Sequence, residues 1–525
     1  MQKIRTVTEK VREKTFVHIR DKLQSKFNGL SEGRHQCKNQ PQFMVKPAVI
    51  NLTNSELSQH QESLLNLDPK FVPAPAKVPV MDIITSTELE ARHLDYKNKN
   101  TVAETLRQDV MKTLKASKPP KNNLTKEQRQ ALRELKSNKD IDIYPFDKGS
   151  GLVLIPKEMA MAKLREQIGD SIIVDKDPTD AFARKIQTEI RKVKPKLTKM
   201  QYRDIYPSDP IAPRMYGAIK AHKPEKNYPM RVIVSTIGTA NHGLSKFLVD
   251  LIQPTLNKNS TRLPNSRKFV SLAKEWDIDP SEVQVSYDVV NLYPSIPIEA
   301  ACEIVINMLS NDEEFGSRTS LTIPEVQTLI KLCLSRCYFI WDKKIHMLEN
   351  SGPIGLSLMV VMAEAFLQHH EKNAIEVAKE QSPPINLKSF LRYVDDGHAR
   401  FDCNDQADQF LDILNAQDPN INYTIERESD KGLNYLDVNA KNNGQGKYEF
   451  SIHRKNAITN VQLKPNSCHD PKVLKGVFKG FVDRAFSNCS EQHIQQELDF
   501  LVNVLSRMDI QSQYFWKSLN GSVII

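Results

Sequence analysis

The sequence RYVDDGHARF, residues 392–401, places two adjacent aspartates where the pattern predicts the tip of a β-hairpin. Residues 387–394 (LKSFLRYV) are dense in apolar and aromatic side chains, Gly397 is expected to permit the turn, and residues 398–401 can return as a second strand. Two neighbouring carboxylates repel each other, and a divalent cation with oxygen ligands, such as Mg²⁺, is the natural compensation. A solvated Asp-Asp turn has the same sequence, so this stretch alone leaves a metal site and a surface turn both open.

A third aspartate favours the metal site. Residues 283–289 (VQVSYDV) alternate apolar and polar side chains, which predicts a strand with Asp288 at its carboxyl end, before the prolines of residues 291–297. Two-metal catalysis needs carboxylates from different strands, because the attacking and the leaving oxygen must both be held. An aspartate at a strand end and a distant Asp-Asp hairpin are typical of polymerases with a palm domain. We therefore predict that Asp288, Asp395 and Asp396 are the catalytic residues and the metal ligands.

Several motifs resemble those of reverse transcriptases. SYDVVNLYPSIP (286–297) resembles motif A, RYVDDGHARF motif C, and SGPIGLSLMVVMAEAFL (351–367) motif B. Further segments are similar to those of Penelope-like retroelement reverse transcriptases, relatives of telomerase, and the resemblance extends from about residue 50 to about residue 520. These segments are NLTNSELSQHQESLLNLDPKFVPAP (51–75), FDKGSGLVLIP (146–156), PRMYGAIKAHKP (213–224), PMRVIVSTIGTANHGLSKFL (229–248) and NYLDV (434–438).

The resemblance implies an α+β fold of the right-hand polymerase type. Fingers, a palm with a split βαβ antiparallel sheet, and a thumb would follow a mostly helical N-terminal extension. A helix is predicted over residues 8–28, where apolar residues recur at helical spacing. The predicted ranges are 1–140 for the N-terminal extension, 141–282 for the fingers, 283–440 for the palm and 441–525 for the thumb.

The resemblance also implies residues that bind the incoming nucleotide. Tyr293 follows Asp288 by five residues, where these enzymes place an aromatic ring that excludes a 2′-hydroxyl; a core tyrosine is the alternative. Arg231 corresponds to the fingers arginine that meets the triphosphate, since a planar guanidinium can bind phosphate oxygens in a forked geometry. Lys148 is a further candidate phosphate contact, although a surface lysine would look the same.

Motif B adds Gly355 to the candidate nucleotide-binding residues. Gly352, Pro353 and Gly355 precede a helix predicted over residues 356–380, and a glycine there lets the backbone approach a nucleotide or template closely. The family usually has a second small-Pro pair after this glycine, whereas this chain continues with Leu356. The departure puts the conformation of the loop in doubt and leaves the aspartates unaffected.

Candidate contacts with primer and template lie further along the chain. Tyr435 and Leu436 occupy the segment that resembles the primer-grip turn. Residues 470–486 have apolar side chains at helical spacing, with Val473, Val477 and Phe481 expected on the buried face. The lysines of the other face suit a phosphate backbone, although a solvated amphipathic helix has the same pattern. They are Lys472, Lys475 and Lys479.

The composition limits the partners and the cellular compartment that suit the protein. The 73 lysines and arginines exceed the 64 aspartates and glutamates, and the net charge of +9 suits a polyanionic partner without proving one. The seven cysteines include no Cys-x-x-Cys pair, which favours a reducing compartment. No apolar run approaches 18 residues and the N-terminus lacks an apolar signal core, so we expect a soluble protein that is neither secreted nor in a membrane. Nuclear residence is implied by the family's insertion into chromosomes.

These features predict an RNA-directed DNA polymerase. It would extend a DNA primer 3′-end on an RNA template, using deoxynucleoside triphosphates and two Mg²⁺ ions, with Mn²⁺ as the alternative ion. An RNA-directed RNA polymerase, which Tyr293 opposes, and an inactive nucleic-acid-binding remnant are the alternatives. Many members of the family carry a GIY-YIG endonuclease, whose signature does not occur here. An endonuclease-lacking type and a truncated copy are both compatible with that, and the template, the priming site and the oligomeric state stay open.

Overall fold

The structure is a computed structural model that describes residues 49–169, 171–348, 355–454, 464 and 466–506, apart from the side chains of residues 474, 505 and 506. The helix predicted over residues 8–28 and the pair Gly352-Pro353 lie outside the described residues.

Helices and strands alternate along most of the described chain. The helices are α1 (Gln59–Leu65), α2 (Val80–Tyr96), α3 (Asn100–Ala116), α4 (Lys126–Ser137), α5 (Lys157–Ile168), α6 (Thr179–Val193), α7 (Lys199–Ile205), α8 (His242–Leu256), α9 (Ser266–Ala273), α10 (Leu292–Ser295), α11 (Ile298–Ser310), α12 (Phe315–Arg318), α13 (Ile323–Leu334), α14 (Ser357–Glu380), α15 (Asn404–Asn415), α16 (Pro471–Asn488) and α17 (Glu491–Ser506). The strands are β1 (Val49–Asn51), β2 (Ile141–Pro145), β3 (Leu152–Pro156), β4 (Ile172–Val174), β5 (Arg214–Ile219), β6 (Met230–Ser235), β7 (Val283–Val289), β8 (Cys337–Trp341), β9 (Lys344–Leu348), β10 (Ser389–Tyr393), β11 (Asp396–Phe401), β12 (Tyr423–Arg427), β13 (Leu433–Tyr435), β14 (Val438–Asn442) and β15 (Tyr448–Ile452).

The sheet that carries the predicted aspartates has four strands in the order β10-β11-β7-β12. All neighbouring pairs are antiparallel, and the chain passes through the sheet as β-α-β-β-α-β, which is a split βαβ arrangement. Since alternate side chains face opposite sides, Val285, Tyr287 and Val289 point to one face and Asp288 to the other. The face that carries Val285, Tyr287 and Val289 is buried against α8, α11, α14 and α15.

Two further sheets take most of their strands from the chain before β7. A five-stranded sheet has the order β4-β9-β8-β5-β6, and the pair β5–β8 is parallel whereas its other pairs are antiparallel. Apolar residues of this sheet share a core with α5 and with the three-stranded sheet β1-β3-β2. The combination of helices with antiparallel and mixed sheets confirms the α+β class.

Some helices and strands of one predicted domain range pack with elements of another range. Strands β8 and β9 come from the predicted palm range but lie in the same sheet as β4, β5 and β6 of the predicted fingers range. Helix α8, also from the fingers range, is buried with the four-stranded sheet. The predicted boundary after residue 440 falls inside β14, which pairs with β13 and β15. Contiguous ranges therefore describe the chain order better than the packing, and the division into fingers, palm and thumb stays a prediction.

The two ends of the described chain are helical. Near the N-terminal end, α2 packs against α3, and Arg107 of α3 forms ion pairs with Glu88 and Asp95 of α2 at 2.9 Å each. Near the C-terminal end, α16 and α17 enclose a small apolar core of their own, centred on Phe478, Val482 and Leu498. Among the described helices, none is both long and apolar enough to cross a bilayer.

Candidate active site

Asp288 and Asp396 lie directly opposite each other on the neighbouring strands β7 and β11. The backbone N–H of Val289 donates to the carbonyl oxygen of Asp395 at 3.2 Å, so these two residues form a hydrogen-bonded pair. Hydrogen-bonded and non-hydrogen-bonded pairs alternate along an antiparallel ladder, which makes Asp288 and Asp396 a non-hydrogen-bonded pair with Cα atoms about 4.5 Å apart. The two carboxylates therefore project from adjacent points on the same face of the sheet.

The hairpin between β10 and β11 has a two-residue loop, Val394 and Asp395. Val394 has a φ of +56°, a left-handed value that costs free energy for a β-branched residue. The expectation that Gly397 permits the turn is wrong, because Gly397 is paired within β11. The strained position is instead the residue immediately before Asp395.

The face that carries the aspartates is covered over part of its area, beyond Asp396 along β11. His398, two residues beyond Asp396 on β11, is fully buried beside the rings of Phe269 and Trp276, with ring centroids 4.8 and 5.9 Å away. Burial lowers the pKa of His398 to about 3, with the nearby positive charge of Arg400 acting in the same direction. The small sheet β13-β14-β15 and α9 complete this apolar cover. Asp288 remains exposed at the uncovered end.

Tyr293 lies at the same end of the sheet. It follows β7 in the short helix α10, and 42% of its surface is exposed. Partial burial and then the negative charge of Asp395 raise the pKa of its phenol, and Glu364 acts in the same direction. The phenol is therefore within electrostatic reach of Asp395. Its contact with the sugar of a nucleotide stays a prediction.

The chemistry of the aspartates fits a hard divalent cation, although a complete cage is not preformed. In the described part of the chain, no three His, Cys, Asp or Glu side chains are grouped so that they could hold a metal ion. Asp288 and Asp396 nevertheless offer carboxylate oxygens from facing positions, and Asp395 is adjacent in the loop. Mg²⁺ is commonly bound by one or two carboxylates and keeps its other positions for water and substrate phosphate. Metal binding by all three aspartates stays a prediction.

The predicted phosphate-binding residues Arg231 and Lys148 belong to one cluster of cations. Arg231 on β6 donates to Asp147 at 3.1 Å, and the Asp147 side chain is only 4% exposed. Partial burial, and then the charges of Arg231 and Lys223, lower the pKa of Lys220, with Lys148 contributing in the same direction. A concentration of positive charge at a partly buried place suits a phosphate group, and the hydrogen bond with Asp147 orients Arg231 within it.

The backbone of Gly355 lies close to another segment of the protein backbone. It has a φ of +81°, and an added Cβ would lie 2.0 Å from the carbonyl oxygen of Val234 on β6. The Thr236 hydroxyl donates to the carbonyl oxygen of Gly355 at 3.1 Å. Gly355 therefore joins the end of β6 to the start of α14, and a nucleotide contact at Gly355 stays a prediction.

Tyr435 is buried in the apolar cover beside His398, with the two ring centroids 5.2 Å apart, and its contact with the primer stays a prediction. Its side chain is 1% exposed, and its hydroxyl donates to the carbonyl oxygen of Asp396 at 2.9 Å. Burial, followed by the charge of Asp396, raises the pKa of this phenol well above 10. Leu436 is in the turn after β13 with a φ of +56° and is half-buried, so a primer contact there stays a prediction.

The three predicted template-binding lysines lie on α16, where Lys472 and Lys475 are exposed and Lys479 is half-buried. The prediction of the buried face is wrong at Val473, which is 46% exposed, whereas Val477 is half-buried and Phe481 packs against the core that α16 shares with α17. The fully buried residues of the helix include Phe478, Val482 and Ala485. Helix α16 packs against α9, α17 and β15, and the role of its lysines stays a prediction.

Two residues of this region were not singled out from the sequence. Asp147 precedes Lys148 in FDKGSG, and Arg392 opens the RYVDD stretch, so both stand beside positions that were noticed. Their burial could not be read from the sequence, because it depends on elements distant in the chain. The charge of Arg392 within a predicted strand was the available signal.

Comparison with known protein families gives one match. The model of the animal helix-turn-helix domain matches residues 461–509, the part of the chain that contains α16 and α17. No curated protein matches the chain in sequence.

Comparison with solved structures finds polymerases. Telomerase from Candida albicans, solved with a fragment of telomeric RNA, is 10% identical, with 79% of this chain and 68% of that chain covered and a TM-score of 0.49. Apo telomerase from Candida tropicalis is 10% identical, with 76% and 70% covered and a TM-score of 0.43. The RNA-dependent RNA polymerase of Sicinivirus is 12% identical, with 62% and 71% covered and a TM-score of 0.36. At these TM-scores, an assignment of activity has to rest on the residues of the site.

Proposed function

We propose that this chain is an RNA-directed DNA polymerase of the Penelope-like reverse transcriptase kind. The observation that carries the proposal is the facing pair Asp288 and Asp396 at the open end of a four-stranded antiparallel sheet, with Asp395 in the adjoining loop. Two carboxylates on neighbouring strands and one on the hairpin tip provide oxygens from separate pieces of backbone, as nucleotidyl transfer by two metal ions requires.

The aspartates would hold the ions, and nearby residues would hold the nucleotide. When bound there, two Mg²⁺ ions, or Mn²⁺ in their place, supply activation of the primer 3′-hydroxyl and neutralise charge on the leaving pyrophosphate. Arg231, held by Asp147, would bind the triphosphate together with Lys148. Tyr293, half-exposed near Asp395, would contact the sugar and reject ribonucleotides.

The template and the primer would be bound mainly through their phosphates. Lys472, Lys475 and Lys479 form a row along α16, and the chain as a whole carries a net charge of +9. Each phosphate neutralised by a lysine releases a counterion, which favours binding of an RNA–DNA duplex. A chromosomal DNA 3′-end as primer makes nuclear residence part of the proposal.

Primer extension on an RNA template tests the proposal. Purified protein is given a DNA primer, Mg²⁺ or Mn²⁺, and either deoxynucleotides or ribonucleotides. We expect DNA synthesis by the wild type and a loss of at least about a thousandfold in rate for Asp288→Asn and for Asp396→Asn, corresponding to about 4 kcal/mol of transition-state stabilisation. Binding of the primer–template duplex should be retained in both variants.

Other outcomes would separate the alternatives. Ribonucleotide incorporation in preference to deoxynucleotides would replace the proposal with an RNA-directed RNA polymerase. Binding of duplex without synthesis under any ion would indicate an inactive remnant. Synthesis that persists in the Asp288→Asn and Asp396→Asn variants would remove the site assignment itself.

A further inference from the structure

Arg392 is a fully buried cation directly beneath the aspartate hairpin. It lies in β10 on the face that packs against the helices, and its side chain is 1% exposed. It is among the largest side chains that are completely enclosed in the described part of the chain. A guanidinium in such surroundings loses its hydration, so its position has to be supported by charged partners.

Two glutamates of one helix provide that support. Arg392 donates to both carboxylate oxygens of Glu364, through Nη1 at 3.0 Å and Nη2 at 3.2 Å. Its Nε forms an ion pair with Glu371 at 2.6 Å. Glu364 and Glu371 are seven residues apart on α14, so they lie on the same side of that helix. The forked contact with Glu364 fixes the plane of the guanidinium as well as its position.

The guanidinium also contacts the turn. Its Nη1 donates to the carbonyl oxygen of Val394 at 2.7 Å. Val394 is the residue with the left-handed φ of +56°, and the peptide that begins with this carbonyl leads to Asp395. A strained backbone conformation persists only where surrounding contacts hold it, and this hydrogen bond is such a contact.

A purely stabilising role is a weak explanation for this arrangement. Buried ion pairs often contribute no more stability than apolar side chains of similar volume, because the cost of desolvation offsets their attraction. An apolar residue at position 392 could fill the space but could not hold the Val394 carbonyl. The contact with the turn therefore distinguishes Arg392 from an ordinary core residue.

We infer that Arg392 is a positioning residue of the active site: held by Glu364 and Glu371, it fixes the Val394 carbonyl and so directs the carboxylates of Asp395 and Asp396 towards the metal ions. The inference rests on the proposed function for its catalytic meaning. Its structural content, which is the orientation of metal ligands, can be measured without polymerisation.

The test compares two conservative substitutions of buried arginines. Arg392→Lys keeps the charge and removes the forked guanidinium that reaches the turn. Arg400→Lys is the matched control, because Arg400 is 5% exposed, pairs with Glu282 and lies over the ring of Trp276, on the opposite face of the sheet. Mn²⁺ affinity is measured by electron paramagnetic resonance, the Mg²⁺ dependence by primer extension, and folding by thermal unfolding.

We expect Arg392→Lys to weaken Mn²⁺ binding by about 10- to 100-fold, the range found when groups that orient metal ligands are replaced. The Mg²⁺ concentration for half-maximal extension should rise in parallel and kcat should fall, with the KM for deoxynucleotide unchanged. Arg400→Lys should lower the unfolding temperature without altering the metal dependence. Equal metal dependence in the two folded variants would overturn the inference.

A second variant covers the case in which Arg392→Lys does not fold. Glu371→Gln retains the shape of the side chain and removes the negative charge that pairs with the Arg392 Nε. The same three measurements are made on this variant. Weakened Mn²⁺ binding in a folded Glu371→Gln protein supports the inference. An Mn²⁺ affinity of this variant equal to that of the wild type overturns it. Absence of extension by the wild type would refute the proposed function instead, because the Mn²⁺ measurement does not depend on polymerisation.

Discussion

Val394 determines how the aspartate hairpin is built at the scale of single residues. A turn that glycine would form without strain is formed by a β-branched residue with φ at +56°, and the carbonyl of that residue is held by Arg392. Sequence reasoning assigned the turn to Gly397 because glycine is the usual residue at such positions. It could not foresee that a buried guanidinium would compensate for the strain.

Gly355→Ala should be strongly destabilising. The left-handed backbone alone costs an alanine about 1–2 kcal/mol. The new Cβ would also meet the Val234 carbonyl oxygen at 2.0 Å, so β6 and α14 would have to separate. Chemical denaturation measures the free energy of unfolding. The control is Gly480→Ala on α16, where nothing lies within 4 Å of the added Cβ. That change should stabilise by up to about 1 kcal/mol, and equal losses in both variants would contradict the packing argument.

Tyr293→Val should relax the choice of nucleotide. In the proposed function the half-exposed ring of Tyr293 would meet a 2′-hydroxyl, and a smaller side chain would remove that obstacle. We expect the ratio of kcat/KM values for deoxynucleotide over ribonucleotide to fall by at least about tenfold, or about 1.4 kcal/mol. Single-nucleotide incorporation measures the ratio. Tyr293→Phe is the control, since it keeps the ring, and it should discriminate as the wild type does.

At the scale of helices and strands, the sequence predicted which elements carry the site better than it predicted how those elements pack against others. The strand over residues 283–289, the paired strands around the Asp-Asp turn and the helix after Gly355 are all present. Each has a strong local pattern of alternation or helical spacing. On α16 the prediction failed at Val473, because Val473 and Phe478 are both apolar in sequence, and the packing against α17 decides that Phe478 is covered and Val473 is not.

The three lysines of α16 should together determine how strongly the helix binds a nucleic-acid duplex. Replacing Lys472, Lys475 and Lys479 together by alanine should weaken the binding of an RNA–DNA duplex and make it less sensitive to salt. The slope of log affinity against log salt concentration should fall by up to about 1 for each phosphate that is no longer neutralised. Fluorescence anisotropy over a range of salt concentrations measures this slope.

The matched control removes three exposed lysines from helices that belong to the core beneath the aspartate sheet. These are Lys331 on α13 and Lys372 and Lys379 on α14. Both triple variants lose the same formal charge, so a purely global effect of charge would change their slopes equally. Such equality would argue against a phosphate-binding face on α16.

At the scale of the whole molecule, the cores do not follow the order of the chain. The core beneath the aspartate sheet takes Phe182 and Ile186 from α6 and Leu244 from α8, although both helices precede β7 by many residues. The five-stranded sheet takes β8 and β9 from beyond β7. Local patterns carry no information on such distant pairing, so the sequence could not show which elements share a core.

A fragment that follows the predicted palm range should therefore fail to fold. Residues 283–454 would lack α6 and α8 and would expose the apolar surfaces that these helices cover. We expect no cooperative thermal transition and strong binding of a hydrophobic dye, as in compact states that lack fixed packing. The longer fragment 49–454 retains both helices and should unfold cooperatively. A cooperative transition in the short fragment would show that the core is more local than the structure implies.

The parallel pairing of β5 with β8 has a consequence for biosynthesis. On the ribosome, β5 and β6 emerge long before β8 and β9, which have to be translated before the five-stranded sheet can close. Until then, β5 presents an unpaired edge to its surroundings, and unpaired edges are where nascent chains associate wrongly. Slow translation between residues 219 and 337 would prolong that exposure, so the yield of native protein should depend on codon choice and on chaperones during this interval.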